Sequence, residues 1–179
     1  MESRTRICFV CLGNICRSPT AEAVMQARID AAGLRHVIEV DSAGTGGWHR
    51  GASPDERSAA EAARRGVVLT SRARQVHAGD FAYFDLLVAM DRANRDDLLD
   101  LAADDDQRAK VRLLREFDPA SDPDGGGRAL DVPDPYHGGP GGFADVYDLI
   151  DAACAGLLDH VTAGLPSRSR PVGQPGDEP

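Results

Sequence analysis

Apolar side chains in this sequence are grouped into short runs, and the spacing within each run predicts a strand or a helix. Residues 5–11 contain the apolar run Ile-Cys-Phe-Val and predict a buried strand. Residues 17–32 place apolar side chains at helical spacing, with Pro19 in the first turn, where proline is tolerated. The chain therefore opens with a strand, a short loop and a helix.

The same alternation continues along the rest of the chain. Further strands are predicted at residues 37–40, 85–90 and 111–114, and further helices at residues 54–65, 92–101 and 143–163. Residues 44–51 and 118–142 are rich in glycine and are predicted to be loops. Strands that alternate with helices are typical of a parallel sheet. We therefore expect a single α/β domain with a four-stranded parallel sheet flanked by helices on both faces.

Residues 1–164 are expected to form this domain, and residues 165–179 are expected to be a disordered tail. The tail is rich in Pro, Ser, Arg and Gly and has no apolar periodicity. In open parallel sheets, ligands bind beyond the carboxyl ends of the strands. Cys11, Ser42 and Asp91 each follow or end a predicted strand, so we expect them to face one crevice.

Composition narrows the classes of partner. The chain has 179 residues and a formal net charge of −9 at pH 7, and no basic stripe that would neutralise phosphates, so we expect no nucleic-acid partner. No apolar run approaches the length of a membrane span, and the N-terminus lacks the pattern of a signal peptide. We therefore expect a cytoplasmic protein with no membrane contact, and export by a leaderless route stays an open alternative.

The strongest chemical signal is the stretch Cys-Leu-Gly-Asn-Ile-Cys-Arg-Ser at residues 11–18. In a tight loop between a strand and a helix, backbone N–H groups point inward and the helix N-terminus adds partial positive charge, which makes a cradle for an anion. Such a cradle favours the thiolate form of Cys11, and the planar guanidinium of Arg17 matches two oxygens of a phosphate. We expect phosphate to be bound by Leu12, Gly13, Asn14, Ile15, Cys16, Arg17 and Ser18.

This stretch, with the proline that follows it, closely resembles the signature of the low-molecular-weight protein tyrosine phosphatases. The resemblance continues, in the family's order, at residues 41–45, 71–75, 90–94 and 134–136, and it spans roughly residues 5–160. It implies hydrolysis of phosphotyrosine in protein substrates through a cysteinyl-phosphate intermediate, with no cofactor and no metal. We also expect phosphate or vanadate to inhibit such a site.

The resemblance assigns roles within the loop. It implies that Cys11 is the nucleophile and that Arg17 clamps the phosphoryl oxygens. It also implies that Ser18 hydrogen-bonds the thiolate and eases its departure, and that Asn14, supported by Ser42, holds the loop in its strained shape.

Outside the loop, the resemblance implies that Asp134 is the general acid and that Trp48 and Tyr136 are aromatic walls of the substrate cleft. His137 stands where many family members have a second aromatic residue, so one wall of the cleft differs here. Asp131 lies three residues before Asp134 and is the alternative candidate for the acid, although Pro135 and Tyr136 favour Asp134.

Three other functions are open from the sequence. A thioredoxin-coupled arsenate reductase would need two further cysteines after the third strand, and residues 80–100 contain none. An arginine phosphatase of the same family tends to have Thr where this chain has Ile15. A phosphotyrosine-binding module or redox sensor without turnover is disfavoured by the intact set of catalytic residue types.

Several residues have a structural interpretation as well. Cys8 and Cys154 lie on apolar faces and are expected in the core. For Cys16 the sequence leaves two roles open, packing alone or a redox pair with Cys11. Asp91 and Asn94 are expected to cap the helix that follows them. The side chains of His49, His77 and His137 are expected to be solvated.

Overall fold

The computed structural model describes residues 4–121, 124, 130–139 and 141–165. Within these residues, one sheet is formed by β1 (Thr5–Cys11), β2 (Ile38–Gly44), β3 (Leu86–Ala89) and β4 (Val111–Leu113). All neighbouring strands are parallel, and their order is β2-β1-β3-β4. The predicted α/β fold with a four-stranded parallel sheet is confirmed.

The helices of the described part of the chain alternate with these strands. They are α1 (Arg17–Ala31), α2 (Glu56–Arg64), α3 (Asp80–Tyr83), α4 (Arg92–Leu101), α5 (Asp105–Arg108) and α6 (Gly141–Ala163), with a 3-10 helix at Leu114–Phe117. None of them is long and apolar enough to cross a membrane.

The core lies on both faces of the sheet, because successive side chains of a strand point to opposite sides. Ile7 and Phe9 belong to the apolar cluster that β1 forms with α1 and α6, whereas Cys8 and Val10 belong to the cluster that includes Leu98 of α4. Helices therefore cover both faces, as predicted. Cys8 and Cys154 are fully buried, which confirms their place in the core.

The central position of β1 determines where the site forms. β1 pairs with β2 on one side and with β3 on the other, so the chain leaves the carboxyl ends of β1 and β3 in different directions. A crevice opens at that point, directly above Cys11.

Element boundaries differ from the prediction in places that have physical reasons. β2 was predicted to end at residue 40, but it continues to Gly44, because Asp41 and Ser42 pair with Cys8 and Phe9 of β1. The single-turn helices α3 and α5 were not predicted, since one turn is too short to show apolar periodicity. The proposed tail falls almost wholly on residues 166–179, which lie outside the described residues.

Candidate active site

The loop between β1 and α1 brings the Cys11 sulfur into contact with two hydrogen-bonding groups. The backbone N–H of Asn14 donates to Cys11 Sγ at 3.3 Å, and Ser18 Oγ lies 3.0 Å from the same sulfur. α1 begins at Arg17, so its N-terminus lies beside the thiol and adds partial positive charge. These contacts suit a sulfur that carries negative charge.

Asn14 fastens the loop to the rest of the fold. Its backbone has φ of 55°, a left-handed conformation that Asn tolerates better than most residues. Its Nδ2 donates to Ser18 Oγ at 2.8 Å and to Ser42 Oγ at 3.0 Å. Its Oδ1 accepts a hydrogen bond from the backbone N–H of Arg74 at 3.0 Å. Ser18 Oγ accepts from Asn14, so its single hydroxyl proton has two acceptors within reach, Cys11 Sγ at 3.0 Å and the Ala43 carbonyl at 3.4 Å.

Arg17 is buried and held in one orientation. Its Nη1 donates to Asp91 Oδ2 at 2.6 Å and to the Val132 carbonyl at 2.9 Å. Its Nη2 lies 3.6 Å from Asp134 Oδ2. Burial alone would lower the pKa of Arg17, but the negative charges of Cys11, Asp91 and Asp134 raise it above its ordinary value. The guanidinium is therefore fully charged at the floor of the crevice.

The crevice is a cleft of about 340 Å³ above the loop. Five side chains from outside the loop line it: Trp48, His49, Asp134, Tyr136 and His137. Asp134 is 44% exposed, and its Oδ1 accepts a hydrogen bond from the backbone N–H of Tyr136 at 3.0 Å. Ile15 and Cys16 complete the wall on the loop side.

The Asp131 carboxylate does not face this cleft and is hydrogen-bonded at the start of α4 instead. Its Oδ1 accepts from the backbone N–H of Arg92, the first residue of α4, at 2.9 Å. It is not among the residues that line the cleft, whereas Asp134 is. The geometry thus favours Asp134 over Asp131 for any chemistry above Cys11.

The three histidines have different surroundings. The prediction that His49 is solvated is wrong, because its ring is half-buried, lines the cleft and lies against the loop, where a Cβ added to Gly13 would be 2.9 Å from His49 Cδ2. His77 is exposed, as predicted. His137 is exposed and lines the rim of the cleft, with its ring 4.8 Å from that of Tyr136.

The sequence predicted that Asp91 caps the following helix and faces the crevice, and the structure shows both the cap and a contact with Arg17. Asp91 Oδ1 accepts from the backbone N–H of Asn94 and so caps α4, while its Oδ2 binds Arg17. Its place directly after β3 was the available signal.

Two further residues near the site belong to no motif in the sequence, so the sequence offered no reason to place them there. Glu22 accepts a hydrogen bond from Ser42 Oγ behind the loop. Arg57 donates to the Tyr136 carbonyl at 3.1 Å and lies 5.3 Å from the centre of the Tyr136 ring.

Cys16 is buried next to the cleft, and burial raises the pKa of its thiol to about 12. All four cysteines are free thiols in the structure. Among the described residues, no group of three or more His, Cys, Asp or Glu side chains is arranged to hold a metal ion.

The chain is similar to proteins of one family over most of its length. The family model for low molecular weight phosphotyrosine protein phosphatase matches residues 6–166. A low molecular weight protein-tyrosine-phosphatase of Streptomyces coelicolor is 49% identical over 164 residues, which cover 92% of this chain and 98% of that protein.

Solved structures give the same result. The crystal structure of a protein tyrosine phosphatase from Entamoeba histolytica, with Hepes in its active site, has a TM-score of 0.83 and 38% identity and covers 89% of this chain and 98% of its own. The structure of an arginine phosphatase from Drosophila has a TM-score of 0.76 and 32% identity over 87% of this chain and 96% of its own. The chain therefore belongs to the low molecular weight phosphotyrosine protein phosphatase family, whose members are phosphoric monoester hydrolases.

Proposed function

We propose that this protein hydrolyses phosphotyrosine in protein substrates in two steps, through a phosphate ester formed on the sulfur of Cys11. The observation that carries the proposal is the set of contacts around that sulfur. A backbone N–H and a serine hydroxyl lie within 3.3 Å of Cys11 Sγ, and the loop is fixed by the amide of Asn14. A thiolate is a strong nucleophile, and these donors stabilise it in place.

Binding of the phosphoryl group depends on the loop and on Arg17. Phosphoryl transfer spreads negative charge over three equatorial oxygens, so catalysis comes mainly from donors positioned around them. The loop supplies backbone N–H groups, and Arg17 supplies a guanidinium oriented by Asp91 and the Val132 carbonyl. Because these two hydrogen bonds fix the guanidinium, little reorganisation is needed when phosphate enters.

In the first step, the Cys11 sulfur attacks phosphorus and the bond to the tyrosine oxygen breaks. The phenolate that leaves needs a proton, which Asp134 donates from the opposite side of the cleft. The carboxyl group of Asp134 lies on the wall of the same cleft as Cys11, which suits this role. In the second step, the Asp134 carboxylate takes a proton from water, the water attacks phosphorus, and the Cys11 thiolate leaves with a hydrogen bond from Ser18.

The role of Asp134 is tested by varying the leaving group. Asp134→Ala should slow the hydrolysis of phosphotyrosine peptides by about 10²- to 10⁴-fold, the usual scale for loss of a general acid. The loss should shrink for aryl phosphates whose leaving group has a low pKa, because they need less help from a proton. The measurement is kcat for a series of aryl phosphates.

Asp131→Ala is the matched control, and its kcat should stay near that of the wild type across the series. Cys11→Ser should have no turnover, because a serine hydroxyl is not ionised at neutral pH. An equal loss for every leaving group in Asp134→Ala, or substantial turnover by Cys11→Ser, would reject this mechanism.

The substrate is proposed to be an aryl ester rather than phosphoarginine. Ile15 and the rings of Trp48 and Tyr136 line the cleft and offer an apolar surface to an aromatic ring. The same assay on a phosphoarginine peptide separates the two classes, because kcat/KM should be far lower than for phosphotyrosine. Comparable values would instead favour an activity like that of the Drosophila relative.

A further inference from the structure

A second groove, of about 360 Å³, adjoins the catalytic cleft. Leu12 and Trp48 line both spaces, so these two side chains form the ridge between them. Beyond the ridge, the walls of the groove include Gln75, Asp97 and Leu101. None of these last three residues has a part in the two-step mechanism.

The floor of the groove is fastened to the catalytic loop. The backbone N–H groups of Thr45 and Gly46 donate to the carbonyls of Cys11 and Leu12, both at 2.9 Å. Gln75 Nε2 donates to the Thr45 carbonyl at 3.1 Å. The Trp48 ring lies directly on Gly46, since a Cβ added there would be 2.0 Å from the ring. The groove is therefore held in shape by contacts within the chain, which lowers the cost of filling it.

The walls combine exposed apolar surface with one carboxylate. Leu12, Trp48 and Leu101 are 41%, 66% and 38% exposed, which is high for large apolar side chains. Asp97 and Leu101 lie four residues apart on α4, so both are presented to the same side of the helix. In the described part of the chain the Asp97 carboxylate has no ion-pair partner, whereas the neighbouring Asp96 pairs with Arg95.

This combination matches one kind of amino-acid side chain. Lys and Arg have an aliphatic stem that packs against apolar surface and a cationic head that stays hydrated or pairs with a carboxylate. An acidic residue would meet Asp97 with like charge. A purely apolar residue would cover Leu12, Trp48 and Leu101 but would leave the carboxylate without a counter-charge.

We propose that the groove is a second specificity subsite, which binds the side chain of a Lys or Arg that lies close to the phosphotyrosine in the substrate. This proposal rests on the proposed function, since it requires a phosphotyrosine peptide in the neighbouring cleft. The two spaces share Leu12 and Trp48 as a common wall, and an extended chain advances about 3.3–3.6 Å per residue, so the residues nearest the phosphotyrosine are the ones placed to reach the groove. The subsite contributes to substrate choice and not to the chemical step.

The test uses a set of phosphotyrosine peptides with alanine flanks. Arg is placed in turn at each position from two before to two after the phosphotyrosine, and kcat/KM is compared with that of the all-alanine peptide. At one position the wild type should show a gain of about two- to five-fold, the size expected for a partly exposed ion pair. Asp97→Asn should abolish most of the gain at that position.

Asp100→Asn is the matched control, because Asp100 is an exposed carboxylate on the same helix that does not line the groove. It removes the same charge and should keep the gain. A gain that is equal at all positions, or that falls equally in both variants, would mean general attraction between a basic peptide and an acidic protein and would overturn the subsite. Failure of the proposed function would look different, since the wild type would then not hydrolyse the all-alanine peptide.

Discussion

At the scale of single residues, one amide group joins the catalytic loop to three separate parts of the chain. The side chain of Asn14 binds Ser18 of α1, Ser42 of β2 and the backbone of Arg74. The same residue adopts the left-handed φ of 55° that the tight loop requires. An Asn satisfies both demands, because its short amide forms local hydrogen bonds and tolerates this conformation. The geometry around Cys11 thus depends on a residue that takes no part in bond breaking.

Cys16 differs from Cys11 in its surroundings, and this decides how the pair should respond to oxidation. Because burial raises the pKa of Cys16 to about 12, its sulfur is a thiol at neutral pH. Peroxide would therefore oxidise Cys11 first, to a sulfenic acid. A disulfide then requires Cys16 to lose its proton and attack the Cys11 sulfur, which breaks the S–O bond and releases hydroxide. The Cys11–Cys16 pair stays a prediction, since both thiols are free in the structure.

This order of events predicts a pH dependence. After a fixed exposure to peroxide, the ratio of Cys11–Cys16 disulfide to Cys11 sulfinic acid should rise between about pH 7 and about pH 9, as more Cys16 becomes thiolate. Mass spectrometry of the digested protein measures both products. Cys16→Ser should recover less activity than the wild type after dithiol treatment. If no linked peptide forms and both proteins recover equally, Cys16 has only a packing role.

At the scale of elements, the sequence was most informative where apolar periodicity is strong. β1, α1 and α4 appear at or within one residue of their predicted bounds. β1 is a continuous apolar run and α1 buries apolar side chains at helical spacing, whereas the start of α4 is marked by the Asp91 cap. β2 was predicted too short, since pairing with β1 carries polar Asp41 into the sheet. Pairing between strands is a long-range effect that no local window contains.

In the candidate site too, groups that are adjacent in the sequence were predictable, whereas contacts between distant segments were not. The loop from Cys11 to Ser18 is one continuous stretch of chain, so that stretch, between a predicted strand and a predicted helix, was enough to predict an anion-binding loop. The partners that position Arg17 come from elsewhere, namely Asp91 after β3 and the carbonyl of Val132. Only the folded chain brings these groups together, and their sequence patterns are equally typical of a helix cap and a loop.

Glu22 gives a prediction at this scale, because it links α1 to β2 through Ser42. Burial raises the pKa of its carboxyl above the ordinary value. Its stabilising contribution is therefore complete below the pKa of the unfolded chain and is lost as the pH rises through the higher pKa of the folded state. Glu22→Gln keeps an acceptor for Ser42 and removes the titration. Relative to the wild type, its free energy of unfolding should increase between about pH 4 and about pH 7.

The measurement is denaturant unfolding at a series of pH values. Asp55→Asn provides a control of opposite sign, because hydrogen bonds from Arg57 lower the pKa of Asp55. That variant should lose stability relative to the wild type as the pH rises towards the ordinary aspartate pKa of about 3.9, and the difference should then stay constant up to about pH 7. A difference between Glu22→Gln and the wild type that does not change with pH would show that Glu22 is not desolvated as described.

At the scale of the whole molecule, a protein with a net charge of −9 is proposed to bind a doubly charged anion. The overall field opposes binding, so affinity must come from groups within a few ångströms. These are the loop N–H groups, the N-terminus of α1 and the buried guanidinium of Arg17. At short range and away from water, such groups outweigh distant charges that salt screens.

If these local groups bind phosphate, the same binding event should both inhibit the enzyme and raise the free energy of unfolding. Inorganic phosphate or vanadate should compete with an aryl phosphate substrate. Phosphate at 100 times its dissociation constant should add about 2.7 kcal/mol to the free energy of unfolding. For a domain of this size that corresponds to a rise in Tm of roughly 5–10 °C, measurable by calorimetry against chloride at equal ionic strength.

Cys11→Ser keeps the anion-binding loop and should keep the rise in Tm with phosphate, whereas Arg17→Ala should lose most of it. A rise of the same size in Arg17→Ala would locate the bound anion away from the catalytic loop.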